Sequence, residues 1–380
     1  MAEMIQSMES FRPGYVFGKG KLEVLRELCE QENATLVIFD GELTPSQQEK
    51  LEDFLDVAVI DRPALILDIF ARHARSREAK KQVELAQLEY LLPRLAGRWT
   101  HLERQEAAIG TRGPGETQLE TDRRIVRKKI GELKKDLQKI DVDRETQRKR
   151  RGTKINFCLV GYTNAGKSSL FNRLTGEDIL VANRLFATLD STTRRVPLKG
   201  IGEYMLSDTV GFINKLPHDL VASFRSTLKE ASSADMLIHI ADFSAPNLEQ
   251  KIRTVRQVLA EIGADNIKEM LIFNKTDLVN NPDKRQNMMA KYPGCRFVSA
   301  KTGEGLKSLH QALQDACEGM YATMEARISQ DNARAMREIS RVMQIYSSEL
   351  RDGSIVFRGK MLKYHIGRLE REGVIFNVAR

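Results

Sequence analysis

The sequence predicts an α/β fold: a central, mainly parallel sheet, preceded by a small α/β domain and a long antiparallel helical hairpin, and followed by a small α+β piece. Three observations carry this. Short apolar runs at 155–160 (INFCLV), 203–207 (EYMLS), 270–273 (MLIF) and 296–298 (RFV) each run into a polar loop, the pattern of strands feeding a ligand-facing edge. Residues 35–74 alternate strand-like and helix-like stretches. Between these regions, two leucine-rich seams flank a glycine-rich segment. The boundaries read as 1–76, 77–150, 151–320 and 321–380.

Residues 1–20 are polar and read as irregular, and Lys21 to Glu32 is an amphipathic helix. TLVIF (35–39) reads as a strand. Thr44-Pro45 supplies a helix N-cap and first position, with Gln48 expected to close a capping box and the helix running to about Leu55. VAVI (57–60) reads as a second strand and Ala64 to Ala74 as a helix. Two strands make a small sheet, so this domain reads as shortened.

Residues 78–107 read as a helix kinked at Pro93, with Leu85, Leu88, Leu92, Leu95, Trp99 and Leu102 spaced as a heptad seam. A second seam holds Val126, Ile130, Leu133, Leu137 and Ile140. Between them lies IGTRGPGETQ (109–118), whose tip is Arg112, Gly113, Pro114 and Gly115. Two seams joined by a turn make an antiparallel hairpin, and arms of about 28 residues reach roughly 40 Å. RETQRKRRGTK (144–154) then joins it to the next domain. Residues 325–350 read as helical, and SIVF (354–357) and 374–378 as strands.

The chemistry is concentrated in the central region. After the INFCLV strand come Gly161, Tyr162, Thr163, Asn164, Ala165, Gly166, Lys167 and Ser168, which fit G-x-x-x-x-G-K-[ST]. Backbone N–H groups in such a loop turn towards phosphates, and the following helix N-terminus adds partial positive charge. Lys167 reaches the β- and γ-phosphates and stabilises charge there; Ser168 supplies a hydroxyl to Mg²⁺. Downstream, EYMLS runs into Asp208-Thr209-Val210-Gly211. Asp208 at a strand end can hold Mg²⁺ through water, and Gly211 lets a backbone N–H approach the γ-phosphate. MLIF delivers Asn274, Lys275, Thr276 and Asp277, where a carboxylate can accept the paired N–H donors of guanine; adenine presents the wrong pattern. RFV leads to Ser299, Ala300 and Lys301, whose backbone can meet the base oxygen. The set is that of a P-loop G domain, a GTP/GDP site using Mg²⁺.

FATLDSTTRR (186–195) is the remaining switch segment, and Thr175, Thr188, Thr192 and Thr193 are all available as a second Mg²⁺ ligand; spacing does not choose among them. Where many GTPases carry a water-orienting glutamine after the switch glycine, this chain has Phe212. A phenyl ring cannot hydrogen-bond water, so slow hydrolysis that needs an outside contribution is expected. His218, in LPHDL, reads as a helix-start residue rather than a replacement base.

The formal net charge is +8. Residues 71–151 hold 22 Lys+Arg and 13 Asp+Glu, so this segment carries the whole excess and points to a polyanionic partner. Cys29, Cys158, Cys295 and Cys317 are far apart and form no C-x-x-C pair, which suits reduced thiols rather than a metal site. There is no apolar stretch of spanning length and no secretory leader, so a cytoplasmic monomer, at most loosely membrane-associated, is expected.

RGPGETQLETDRR (112–124), with GYTNAGKS, FATLD, DTVGF, LPHDL and NKTD, closely resembles the HflX family of ribosome-associated GTPases, over about residues 12–320. The resemblance implies a GTP hydrolase that binds the large ribosomal subunit and its RNA. It also implies separation of stalled or idle ribosomes into subunits under stress, with the hairpin tip near the peptidyl-transferase centre. It assigns Ser168 and Thr188 as Mg²⁺ ligands and Phe186, Ala187, Thr188, Leu189 and Asp190 as the first switch. The chain departs from the family in lacking its usual first strand and helix, and in its C-terminal piece. An RNA-binding assembly GTPase, an ATP-driven RNA remodeller and a non-enzymatic GTP switch are the rival readings.

Overall fold

In the computed structural model the described residues are 2–5, 16–95, 114–150, 154–176, 192–198, 202–209, 211–212 and 230–378, with backbone alone for 114–119, 144–150, 202 and 378. Trp99, Leu102, Arg112, Gly113, residues 186–190, Val210 and His218 lie outside them. The chain divides into two compact units; the described residues up to Val142 fall in one and those from Asp143 onward in the other.

In the first unit, α1 (Lys19–Gln31), β1 (Leu36–Phe39), α2 (Pro45–Leu55), β2 (Ala58–Asp61) and α3 (Arg62–His73) follow in order. β1 and β2 pair in parallel, Leu36 opposite Ala58 and Phe39 opposite Asp61. Val37, Phe39 and Val59 pack on Leu22, Leu25, Leu51 and Leu55. The capping box on α2 is closed by Gln47, not Gln48: Thr44 N–H donates to Gln47 Oε1 (2.9 Å), and Gln47 N–H to Thr44 Oγ1 (3.3 Å). Gln48 lies one position later, past the reach of the cap, and its Nε2 donates to Val59 O at 2.7 Å. α3 starts ahead of Ala64 because Asp61 caps it, accepting from Ala64 N–H at 3.0 Å.

α4 (Arg77–Leu91) stops where a kink was expected: Leu92 to Arg94 form a turn. Pro93 has no N–H to continue the ladder, and its ring crowds the preceding turn. Arg94 turns back instead. Its guanidinium donates to Leu43 O (2.7 Å) and to the buried Asp61 (3.2 Å), and stacks 3.6 Å from the Tyr90 ring centre. The partner helix, α5 (Pro114–Arg150, 37 residues), begins inside the segment expected as tip loop. Proline suits a first helical position, where its missing N–H costs nothing. Leu85, Ile130 and Leu133 are buried between α4 and α5, with Leu88, Leu92, Val126 and Leu137 around them. Lys81–Asp136 (2.5 Å), Glu84–Lys129 (3.4 Å) and Glu89–Lys134 (2.8 Å) flank this seam.

In the second unit, β3 (Asn156–Gly161), α6 (Lys167–Thr175), β4 (Thr192–Leu198), β5 (Gly202–Asp208), β6 (Met236–Asp242), α7 (Leu248–Glu261), β7 (Glu269–Asn274), α8 (Pro282–Lys291), β8 (Arg296–Phe297) and α9 (Leu306–Met320) build a six-stranded sheet. Its order is β4-β5-β3-β6-β7-β8, parallel except for the β4–β5 pair. β6 was not read from the sequence, although MLIHIAD (236–242) is a largely buried strand that ends in Asp242. Phe157, Leu159, Tyr204, Leu206, Ile238 and Ile240 share one core with Leu170, Phe171, Leu309 and Leu313 from α6 and α9.

The C-terminal piece follows as β9 (Tyr321–Ser329), α10 (Ala333–Val342), β10 (Met343–Arg351), β11 (Ser354–Leu362), α11 (Ile366–Arg371) and β12 (Ile375–Val378). Its antiparallel order is β10-β11-β9-β12, a β-α-β-β-α-β unit. The helix expected over 325–350 is therefore corrected to 333–342. Around it, residues alternate: Ala326 and Ile328 are buried, whereas Arg327 and Ser329 are not. Asp352-Gly353, both at positive φ (47° and 68°), makes the hairpin turn that the sequence signals as D-G. Among the described residues no helix is long and apolar enough to cross a membrane.

Candidate nucleotide site

The site lies at the carboxyl ends of β3, β5, β7 and β8, where an open α/β sheet leaves a crevice. β3 ends at Gly161 and α6 starts at Lys167, so the loop is the turn between a buried strand and a helix N-terminus. Gly166 adopts φ +90°, and a Cβ there would meet Asn274 Nδ2 at 2.2 Å. That glycine lets the phosphate loop and the base-binding segment touch. Asn274 is 2% exposed; its Nδ2 donates to Ala165 O (2.9 Å) while its Oδ1 accepts from Ala300 N–H (3.0 Å). One side chain thus joins Ala165 to Ala300.

Lys167 is 6% exposed, and its Nζ donates to Gly161 O and Tyr162 O, both at 3.1 Å. Burial pulls its pKa down to about 8, with Asp208 pulling the other way. Ser168 Oγ donates to Asp208 Oδ2 at 2.7 Å, so the two predicted metal-binding side chains meet. Their hard oxygen atoms fit Mg²⁺. Thr209 Oγ1 donates to Leu159 O (2.6 Å), which fixes the end of β5 beside β3.

Phe212 is 1% exposed, and the backbone holds it against the phosphate loop. Its N–H donates to Gly161 O (3.0 Å), and its carbonyl accepts from Thr163 N–H (2.8 Å), forming a parallel bridge with Tyr162. At Gly211, a Cβ would stand 2.9 Å from Lys167 Nζ and from Thr163 Cα, so only glycine fits.

At the base end, Asp277 is exposed, and its Oδ1 accepts from Ser299 Oγ at 2.6 Å. Thr276 N–H donates to Val298 O (3.3 Å). Lys275 sits at φ +63° and donates from Nζ to Asp242 Oδ2 (2.8 Å). Lys301 and Asn164 complete the expected set, with Asn164 at φ +60° in the loop. Sequence reasoning missed three supports. Asp242 was missed because β6 was missed. Glu304 holds Thr276 Oγ1 (3.4 Å) through its carboxylate and Ser299 N–H (3.0 Å) through its carbonyl. Arg173, which no motif marks, donates to Ala300 O and Lys301 O, each at 2.9 Å. Cys158 and Cys317 are buried, and burial raises both thiols, Cys317 to about 12.

This strand–loop–helix phosphate cradle, with its paired carboxylate and Asn/Asp base segment, defines a P-loop GTPase. Family models match along the chain: "GTP-binding GTPase N-terminal" over residues 1–71, "GTP-binding GTPase Middle Region" over 73–151, and "50S ribosome-binding GTPase" over 156–275. The GTPase HflX of Escherichia coli K12 is 42% identical over 93% of this chain and 84% of its own length. That of Alkalihalophilus pseudofirmus is 44% identical over 90% of this chain and 81% of its own length. The chain belongs to the HflX family of GTPases. A GTP-binding protein of Sulfolobus solfataricus solved with GDP covers 82% of this chain, with 89% of its own chain matched, at 26% identity and a TM-score of 0.46.

Proposed function

We propose that this GTPase binds the large ribosomal subunit in its GTP state and separates stalled or idle ribosomes into subunits. The observation that carries the reading is the paired α4–α5 seam, placed in the segment that holds the chain's whole positive excess and bearing RGPGETQLETDRR. Exposed Arg124, Arg127, Lys128 and Lys135 on α5 can neutralise RNA phosphates, which gives salt-dependent affinity. The family-model description "50S ribosome-binding GTPase" supports the same partner. Arg112, Gly113, Pro114 and Gly115 supply the positioning tip.

In the nucleotide site, Lys167 meets the β- and γ-phosphates, and Gly211 offers a backbone N–H to the γ-phosphate. Asp277 and the 299–301 loop read guanine. Ser168 and Asp208, with Thr188 by family resemblance, hold Mg²⁺, which neutralises phosphate charge when bound. Phe212 offers no hydrogen bond to water, so hydrolysis is slow until the ribosome contributes a group or orders the switches. Subunit separation follows if the factor binds the free large subunit better than the joined ribosome.

The test is co-sedimentation with 70S ribosomes and free subunits at several salt concentrations. GTP-analogue-bound protein should move with the large subunit and raise free subunits, and GDP-bound protein should not. Protein that stays off the large subunit at modest salt refutes the proposal.

A further inference from the structure

Guanine recognition in this site depends on the direction in which a few backbone amides point. The 299–301 segment is a loop after the two-residue strand β8, so nothing in the sheet ladder fixes those amides. Beside the Ser299 N–H bond to Glu304 O, the loop is held by side chains from three directions. Asn274 Oδ1 takes the Ala300 N–H. Ser299 Oγ accepts from Thr302 N–H (3.1 Å) while donating to Asp277. The third hold comes from α6, the helix that begins in the phosphate loop. There Arg173 Nε donates to Ala300 O and one of its terminal nitrogens to Lys301 O.

The peptide group is planar and trans, so a carbonyl and the following N–H point in opposite directions. Fixing Lys301 O fixes the direction of the Thr302 N–H, and that N–H indeed meets Ser299 Oγ. Fixing Ala300 O in the same way turns the Lys301 N–H away from Arg173. Among the described residues that N–H has no acceptor. With the Ala300 N–H already given to Asn274, the Lys301 N–H is the amide left to meet a base oxygen.

We infer that Arg173 is a positioning residue for base specificity: by holding two successive carbonyls of the 299–301 loop, it aims the Lys301 amide at the guanine oxygen. The inference rests on the guanine-reading role proposed above for this loop. It also ties base reading to the phosphate helix, since Arg173 lies six residues after Lys167 on α6. Lysine replaces it only in part, because an ammonium is a point donor and lacks the planar fork that spans two carbonyls.

The test uses the full-length protein and competition of unlabelled GDP, IDP and ADP against a fluorescent GDP. IDP keeps the base oxygen but lacks the 2-amino group read by Asp277; ADP carries an amino group where the oxygen would be. Arg173→Met should weaken GDP and IDP alike, by about tenfold for two lost hydrogen bonds, and leave ADP unchanged. The GDP/ADP preference then falls about tenfold while the GDP/IDP ratio holds. Arg173→Lys should behave the same way in a milder form, and serves if Arg173→Met does not fold. Equal weakening of all three nucleotides, or no change in any, overturns the inference. If the unaltered protein shows no preference for GDP over ADP, it is the guanine reading of the site that fails, before Arg173 is tested.

Discussion

The nucleotide site and the α4–α5 seam are both built where the chain brings two distant segments together, but by different means. In the site, the join is made by hydrogen bonds from buried polar side chains. Asn274 alone bridges Ala165 and Ala300 from a position 2% exposed. In the seam, Leu85, Ile130 and Leu133 are buried and the ion pairs beside them remain wet. A buried polar network tolerates little error, since one unpaired group costs about 1–3 kcal/mol. An apolar seam with solvated charges tolerates exchange at its rim. Precision therefore resides at the nucleotide site, and the basic helix α5 keeps Arg124, Arg127, Lys128 and Lys135 exposed.

The contrast can be broken in graded steps. Lys167→Ala removes the buried cation proposed above to meet the phosphates, and GDP affinity should fall by at least about a hundredfold in a fluorescent-nucleotide titration, given that charge-assisted contacts are the strong ones. Retained affinity would mean that the backbone cradle suffices. Asn274→Ala leaves Ala165 O and Ala300 N–H unmatched. It should lower stability by about 2–4 kcal/mol by denaturant titration and weaken GDP and ADP together. Leu133→Ala should also cost about 2–4 kcal/mol, but in the first unit, with GDP affinity unchanged; a change in GDP affinity would show that seam and site are not independent.

The pH dependence is smaller. Lys167 is lowered to about 8 when folded without nucleotide, and phosphates raise it again, so binding takes up a proton above that pH. GDP affinity should be flat below pH 8 and then fall, by at most about tenfold per unit, up to the ordinary lysine range. Asp136→Asn breaks the Lys81 pair at the wet rim, where Lys81 holds the carboxyl below the usual range. Its thermal midpoint should move by less than about 2 °C, because exposed pairs contribute little.

Much of the site was legible because the phosphate loop and Asn274-Lys-Thr-Asp277 are local: adjacent residues act on one ligand. Arg173 was not, because its role depends on carbonyls 127 and 128 residues away. Gln48 was misassigned because capping depends on a single position of register, and Gln47 and Gln48 differ by nothing else. The helix expected over 325–350 failed because Arg, Ser and Glu suit a helix as well as an exposed strand face. There the period-two burial of Ala326 and Ile328, a product of tertiary packing, decided the matter. In the N-terminal unit the start of α3 was expected at Ala64; the Asp61 cap and Pro63 in the first turn set it at Arg62 instead.

α5 runs through 37 residues without a break, about 55 Å at 1.5 Å per residue. Its Arg150 end lies six residues before β3, the strand that carries the phosphate loop. On a rod of that length, a rotation of about 5° at one end carries the other through about 5 Å. Along a single helix of that length, a small angle is thus converted into a displacement of several ångströms.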